Sequence, residues 1–253
     1  MTAPDPLVGR VAIVTGAGRG IGRAIALALA EAGASVALAG RNEGALRGLV
    51  EEITALDREA LALPADVTDT DQVEALVART VEGLGGLDIL VNNAGVLVVR
   101  PLLETTDGDW DTVLDTNLRG TFLCTRSAGR VLTEQGSGKV INIASHVGIV
   151  GMASVVSYCA SKAGVIQLTK ALAVEWAPFG VQVNAIAPGY VETDMNAEVR
   201  AQPEVLERVL RRIPAGRMGR PAELGPLAVL LASSASDFIT GETVVIDGGQ
   251  IAW

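Results

Sequence analysis

Val11-Ala-Ile-Val-Thr15-Gly-Ala-Gly-Arg-Gly-Ile-Gly22 is the stretch that decides the fold. A short apolar run bounded by glycine reads as a buried strand, and helical spacing begins at Ile21. Between them, glycines let the backbone turn sharply and approach a pyrophosphate, while the helix N-terminus offers amides and a positive dipole. The bland alternative is a tight strand–helix turn with no ligand. Its place after the first strand favours a dinucleotide. Gly16, Gly18, Arg19, Gly20, Ile21 and Gly22 are therefore the first candidate cofactor residues.

Outward from this turn, the pattern repeats. Val11–Thr15, Ser35–Ala39, Ala60–Leu63, Asp88–Val91, Val140–Ala144, Val181–Ala187 and Thr243–Ile246 read as buried strands. Helical patterns lie between them at 21–32, 42–56, 70–83, 108–133, 157–177 and 221–233. Such alternation predicts an α/β chain of right-handed βαβ units, a Rossmann-type doubly wound parallel sheet with helices on both faces. Aromatics are only 3% of the 253 residues although 49% are hydrophobic, so Ala, Val, Leu and Ile must build the core. No linker or repeat divides 1–253, which is read as one dinucleotide-binding and catalytic domain. Residues 190–216 break the rhythm after Pro188-Gly189; a long segment there predicts a substrate lid of short helices over the site.

Composition narrows the function. A formal charge of −9 argues against a nucleic-acid partner. Two cysteines, Cys124 and Cys159, make no disulfide framework, and a lone histidine, His146, leaves no metal cluster to expect. MTAPDPLVGR lacks the basic-then-apolar run of a signal peptide, and no stretch reaches the ~18 apolar residues that span a bilayer. The expectation is a cytoplasmic protein with no membrane partner.

The second strand runs into Gly40-Arg41-Asn42, where an NAD site usually places an acidic residue for the ribose hydroxyls. The acid is missing, and the Arg41 guanidinium suits a 2′-phosphate, with Arg19 reaching it from the glycine turn. Asn42 joins this cofactor set. The pair favours NADP, with NAD the alternative.

Several further motifs stand in order: Asp66-Val67, Asn92-Asn-Ala-Gly95, Asn117, Ser145, Tyr158-Cys-Ala-Ser-Lys162, Pro188-Gly189 and Asp247-Gly248-Gly249. With the glycine turn they make a chain that resembles the short-chain dehydrogenase/reductase family from about residue 7 to the C-terminus. Within it, the sequence is similar to bacterial 3-oxoacyl-carrier-protein reductases and sugar-acid or polyol dehydrogenases. The resemblance implies that Asp66 and Val67 border the adenine, that Asn93, Ala94 and Gly95 line the cofactor, and that Pro188, Gly189, Val191 and Thr193 frame the nicotinamide. It also implies a homo-oligomer, commonly a tetramer, with helices 108–133 and 157–177 at one interface and Trp253 near another subunit. Two departures stand out: His146 follows the candidate serine, and Ala144 replaces a frequent second serine.

The residue chemistry supports the same reading. Tyr158 and Lys162 are spaced i, i+4 and share a helix face. A nearby ammonium lowers a phenol's pKa, which would make Tyr158 a usable general acid/base. Ser145, at a strand end, is placed to donate to a substrate oxygen, and Asn117 to hold, through its side chain or local backbone, a water that links Lys162 to solvent. The catalytic set is Asn117, Ser145, Tyr158 and Lys162; Tyr158 and Lys162 also belong to the cofactor set, the ammonium being able to hydrogen-bond a ribose hydroxyl. His146 is expected to line the substrate entrance or to be a satisfied structural residue; with Ser145, Tyr158 and Tyr190 it forms the substrate set. Cys159 is assigned to packing.

The expected function is NADP(H)-linked hydride transfer between the nicotinamide and a ketone/secondary alcohol, a small-molecule substrate. An NAD-dependent sugar-acid or polyol dehydrogenase is the alternative. A cofactor-free dehalogenase or lyase, or a non-catalytic nucleotide-binding protein, fits less well because the glycines and Ser145, Tyr158 and Lys162 are all present.

Overall fold

The computed structural model describes residues 6–252; Trp253, expected at a subunit contact, and the first half of the N-terminal stretch lie outside them. The chain forms one seven-stranded sheet ordered β3-β2-β1-β4-β5-β6-β7, with every pairing parallel. The strands are β1 Val11–Thr15, β2 Ser35–Gly40, β3 Ala60–Pro64, β4 Ile89–Asn92, β5 Gly138–Ile143, β6 Val181–Pro188 and β7 Thr243–Ile246. The order reverses between β1 and β4, so a crevice opens there at the strands' C-terminal ends.

Side chains alternate along each strand and feed two cores. Ala12, Val14, Val36, Leu38, Ile89 and Val91 pack on one face with Ile25 and Leu29 of α1 (Gly20–Glu31), Leu46 and Leu49 of α2 (Glu43–Thr54), and Ala228 and Leu231. Ile13, Ala37, Leu90, Val140 and Val183 pack on the other with Val73 and Leu76 of α3 (Thr70–Leu84) and with Leu123 and Leu132. Small residues let the layers close with few aromatics. Where Trp176 does enter, it lies over Gly129, whose missing Cβ leaves the space for the indole.

The region 108–133 is not the continuous helix expected. It divides into α4 (Asp107–Leu114), a π-helical turn at Asp115–Arg119 and α5 (Gly120–Glu134). The reason lies in Asn117, fully buried in that turn: its side chain is drawn to a neighbouring backbone segment, described below. The long α6 spans Val156–Trp176. After β6 come a 3₁₀ turn at Asp194–Asn196 and two short helices, α7 (Ala197–Arg200) and α8 (Pro203–Leu210). The last helical stretch starts as a 3₁₀ turn at Pro221–Leu224 and continues as α9 (Gly225–Ala232).

A buried polar ladder fixes the ends of β4 and β5. Asn92 Nδ2 donates to Thr125 Oγ1 and to Asn142 Oδ1, both at 2.8 Å, and Asn142 Nδ2 donates to Thr169 Oγ1 at 2.9 Å. Four elements, α5, β4, β5 and α6, are thereby held in one register, with geometry that apolar packing alone leaves loose.

Candidate active site

The glycine turn sits where β1 meets α1. Gly16 has φ +64°, and a Cβ there would lie 2.8 Å from Asn93 Nδ2 and 3.0 Å from the Ala94 Cα. Only glycine satisfies both the left-handed backbone and the close approach of β4. Asn93 Nδ2 donates to the carbonyls of Thr15 (2.9 Å) and Gly16 (3.2 Å), and the Thr15 hydroxyl accepts from the amides of Asn93 and Ala94. Thr15 was missed in the sequence reading; its signal is a hydroxyl ending an otherwise apolar strand.

The α1 N-terminus suits an anion. Its N-cap is Arg19, no side chain caps it, and no acidic residue lies in its first turn. By contrast α2, α3 and α4 are capped by Asn42, Asp69 and Thr106. A pyrophosphate would satisfy the free amides of α1 and meet its positive dipole, so the residues present fit a dinucleotide.

The adenosine-side candidates separate into different roles. Asn42 Oδ1 accepts from the Ala45 amide at 3.1 Å, which engages its side chain as a helix cap. Arg41 is exposed, and its charge acts on Asp66, whose carboxyl is held below its ordinary range first by the Thr68 amide and hydroxyl and then by Arg41. Arg19 faces elsewhere, its guanidinium 3.4 Å from Asp194 in the segment after β6. The structure thus sets the two arginines against different carboxylates. Val67 is buried against Gly120, whose lack of a Cβ gives it room.

Deeper in the crevice, Gly95, Asn117 and Lys162 converge. A Cβ on Gly95 would meet Asn117 Oδ1 at 3.2 Å and Lys162 Nζ at 3.7 Å. Asn117 Oδ1 accepts from the Val96 amide (2.8 Å), while Nδ2 donates to the Val96 carbonyl (2.9 Å) and the Ser161 hydroxyl (3.1 Å). The Asn117 carbonyl accepts from Thr121 Oγ1 at 2.7 Å. Both ends of the amide are engaged, so of the two expected routes to a water, side chain or local backbone, the side chain is taken up as a clamp on the chain after Gly95. Ser161 was also missed: it donates to the Tyr158 carbonyl at 2.8 Å and receives Asn117.

Ser145 follows β5, and its hydroxyl is a hydrogen-bonding neighbour of the Tyr158 phenol. Lys162 is 4% exposed; its Nζ donates to the Ile143 carbonyl at 2.7 Å and lies 5.6 Å from the Tyr158 ring centre. Burial pushes the phenol up to about 12, despite the pull of Ser145, and pushes the ammonium down to about 8. In the free protein burial thus acts on Tyr158 against the lowering that Lys162 was expected to give, because both groups lose water. At neutral pH the phenol holds its proton.

His146 is 5% exposed, with Nδ1 3.1 Å from the Pro188 carbonyl. Burial holds its pKa below the ordinary value against the opposing effects of Pro188 and Asp247. Nε2 meets no hydrogen-bond partner among the described residues, so of the two ring nitrogens only Nδ1 is engaged there. The ring tilts at 45° over Tyr190, 5.9 Å between centres. Tyr190 is half-buried, with its hydroxyl 3.7 Å from Met152 Sδ. Gly189 bonds back to Ile246, Val191 is buried, and the Thr193 methyl would be 3.3 Å from a Cβ on Gly20, closing the loop onto the glycine turn. Cys159 is half-buried, with Sγ 3.9 Å from the Met152 carbonyl.

Known proteins are similar to this chain over nearly its whole length. A family described as enoyl-(acyl carrier protein) reductase matches residues 16–250. The chain is 44% identical over 248 residues to 2-dehydro-3-deoxy-D-gluconate 5-dehydrogenase of Escherichia coli K12, covering 97% of each. It is 44% identical over 241 residues to a 3-oxoacyl-[acyl-carrier-protein] reductase of Staphylococcus aureus, covering 94% of this chain and 97% of the other. Among solved structures, gluconate 5-dehydrogenase from Burkholderia cenocepacia in complex with NADP and tartrate is similar with a TM-score of 0.95, at 37% identity, covering 99% of this chain and 98% of that one.

Proposed function

Because the chain belongs to the short-chain dehydrogenase/reductase family, and is thus an oxidoreductase of CH–OH/C=O pairs, we propose that Ser145, Tyr158 and Lys162 carry its chemistry with NADP(H). The observation that supports this reading most is the convergence of those three side chains beside an uncapped helix N-terminus. Relatives of the same fold are crystallised with NADP.

The turn at Gly16, Gly18, Gly20, Ile21 and Gly22 holds the pyrophosphate on the free amides of α1. Arg19, on leaving Asp194, and Arg41 would meet the 2′-phosphate, with Asn42 in support. Asp66 and Val67 border the adenine; Asn93, Ala94 and Gly95 line the ribose; Pro188, Gly189, Val191 and Thr193 frame the nicotinamide. When bound, the cofactor supplies or accepts the hydride.

Ser145 Oγ donates to the substrate oxygen and fixes it beside the Tyr158 hydroxyl. In reduction Tyr158, protonated at neutral pH, gives its proton to that oxygen; in oxidation it takes the proton back. Lys162, still charged below about pH 8, offsets the phenolate charge as it forms. Asn117 holds the Gly95–Val96 chain against Lys162. His146 and Tyr190 line the substrate side, and the segment at 190–216 closes over it as a lid, excluding water.

We further propose a cytoplasmic homotetramer. Exposed apolar side chains support self-association: Phe122 on α5 is 43% exposed and Val174 on α6 is 80% exposed. No helix among the described residues is long and apolar enough to cross a membrane.

Titration of the purified protein with NADPH and NADH, read by nicotinamide fluorescence, tests the cofactor assignment. Tight NADPH binding with turnover of a ketone is expected. Preference for NADH would instead favour the NAD-dependent sugar-acid or polyol reading, and binding of neither would overturn the proposal.

A further inference from the structure

A proline cuts short the pairing of β5 with β6. The last backbone bond between the two runs from the Ala144 amide to the Ile186 carbonyl at 2.8 Å. In a parallel ladder the next would run from the amide of residue 188 to the Ala144 carbonyl, and Pro188 has no N–H to give. The bond after that would reach the Pro188 carbonyl from the backbone of residue 146. That carbonyl is met instead by a side chain, with His146 Nδ1 3.1 Å away. A carbonyl oxygen only accepts, so Nδ1 carries the proton. The same stretch touches the catalytic helix. His146 opens the 3₁₀ turn His146–Gly148, and a Cβ on Gly148 would lie 2.7 Å from the Lys162 carbonyl carbon. The turn that follows Ser145 is thus seated on α6 through Gly148 and tied to β6 through the His146 ring.

From this geometry we infer that His146 is a positioning residue: through Nδ1–H it carries the β5–β6 pairing past the proline and fixes Ser145 relative to the Pro188-Gly189 backbone. The inference rests on the proposed redox chemistry, in which Ser145 holds the reacting oxygen and Pro188-Gly189 frames the nicotinamide. The separation of those two elements decides how closely the carbonyl carbon approaches the hydride, and a misplacement of about 1 Å costs about 100-fold in rate. On its other side the strand end is held by the Gly189 amide on the Ile246 carbonyl at 3.0 Å. Without the His146 bond, the end of β6 follows β7 and loses its tie to β5. The ring is 5% exposed, so water does not compete for the Pro188 carbonyl from that side.

Two substitutions separate the bond from the bulk. His146→Leu keeps an apolar side chain of similar size and loses the donor. His146→Asn loses volume but places an amide N–H where Nδ1 stands. With butane-2,3-dione as the ketone and NADPH deuterated at the transferred position, His146→Leu is expected to lower kcat about tenfold and to raise the primary isotope effect, while NADPH affinity changes by less than about threefold. His146→Asn returns kcat to within about threefold of the wild type although it fills the site less well. A ring that served only as filling gives the reverse order, with His146→Leu near the wild type and His146→Asn impaired. Two readouts need no turnover. The chain holds a single histidine, so selective ¹⁵N labelling reports its tautomer in the free protein, and protonated Nδ1 is expected. Anisotropy decay of bound NADPH should show a looser nicotinamide in His146→Leu than in His146→Asn or the wild type. An Nε2–H tautomer, an unchanged kcat in His146→Leu, or an equal loss in both variants overturns the inference. A wild type that binds NADPH yet reduces no diketone counts against the redox reading, and the anisotropy comparison still decides the positioning.

Discussion

Arg19 and Asp194 bridge 175 positions of sequence to join the glycine turn to the segment after β6. Both side chains are well exposed, at 74% and 66%, and the 3.4 Å separation is long. Such a pair contributes little on its own. It yields readily to a phosphate dianion, which would draw Arg19 from Asp194. Asp194→Asn is accordingly expected to tighten NADPH about two- to threefold by removing the competitor. Arg19→Ala and Arg41→Ala should each weaken NADPH about tenfold and NADH far less. Fluorescence titration of the three variants decides; equal losses for both cofactors would remove the 2′-phosphate assignment.

Tyr158→Phe keeps the ring and deletes the proton. General acid–base groups contribute about 10²–10⁴ in rate, so kcat should fall by about that factor while NADPH affinity changes little. Stopped-flow turnover beside equilibrium titration separates the two quantities. A variant that keeps a tenth of its kcat would exclude Tyr158 as the proton donor.

Lys162 makes a stability prediction with a definite sign. Its proton is held less tightly in the fold, at about 8, than at the ordinary 10.5. Between those values the unfolded chain binds more protons, so this group's contribution to stability rises with pH. Below pH 8 its burial cost is felt in full. Lys162→Met is therefore expected to be more stable than the wild type at pH 7 by about 2 kcal/mol, allowing for the lost bond to Ile143. The gap should narrow by pH 9.5, below the window from 10 to 12 in which Tyr158 acts in the opposite sense. Urea denaturation at the two pH values measures this; a gap that widens with pH refutes it.

Asn117→Ala leaves the amide and carbonyl of Val96 without their partner. The expected loss is about 2–3 kcal/mol of stability, with activity lost as Gly95 and Lys162 lose register. Asn117→Asp retains the acceptor for the Val96 amide and should recover part of the stability. Thermal unfolding with turnover at 25 °C distinguishes a clamp from an indifferent helix residue, which would cost under about 0.5 kcal/mol.

Much of this was legible in the sequence because buried parallel strands are written as apolar runs. All seven strands lie where the pattern puts them, and β1 and β7 have the expected ends. The glycine turn was legible because backbone geometry at Gly16 admits no other residue. The π-turn at 115–119 was not, since its cause is a long-range bond from Asn117 to Val96, and periodicity reports only local contacts. The Asn92–Asn142 ladder was hidden likewise: an asparagine at a strand end looks like a turn residue until its partner 50 positions away is in place. The burial of Tyr158 was illegible for a related reason. Spacing shows that Lys162 is near, but the depth of burial that decides the phenol's pKa comes from the whole fold.

The sheet order has a consequence for how the chain is made. β1 is an interior strand, and its neighbours on both sides, β2 with β3 beyond it on one and β4 on the other, are all in place by residue 92. A ribosome making this protein therefore releases the glycine turn and the strands around it while Ser145, Tyr158 and Lys162 are still unmade. The exposed edge of β4 then waits for β5, its partner from residue 138 onward. Nascent chains stalled in that interval carry an unpaired hydrophobic strand, the kind of edge that chaperones cover and aggregates exploit.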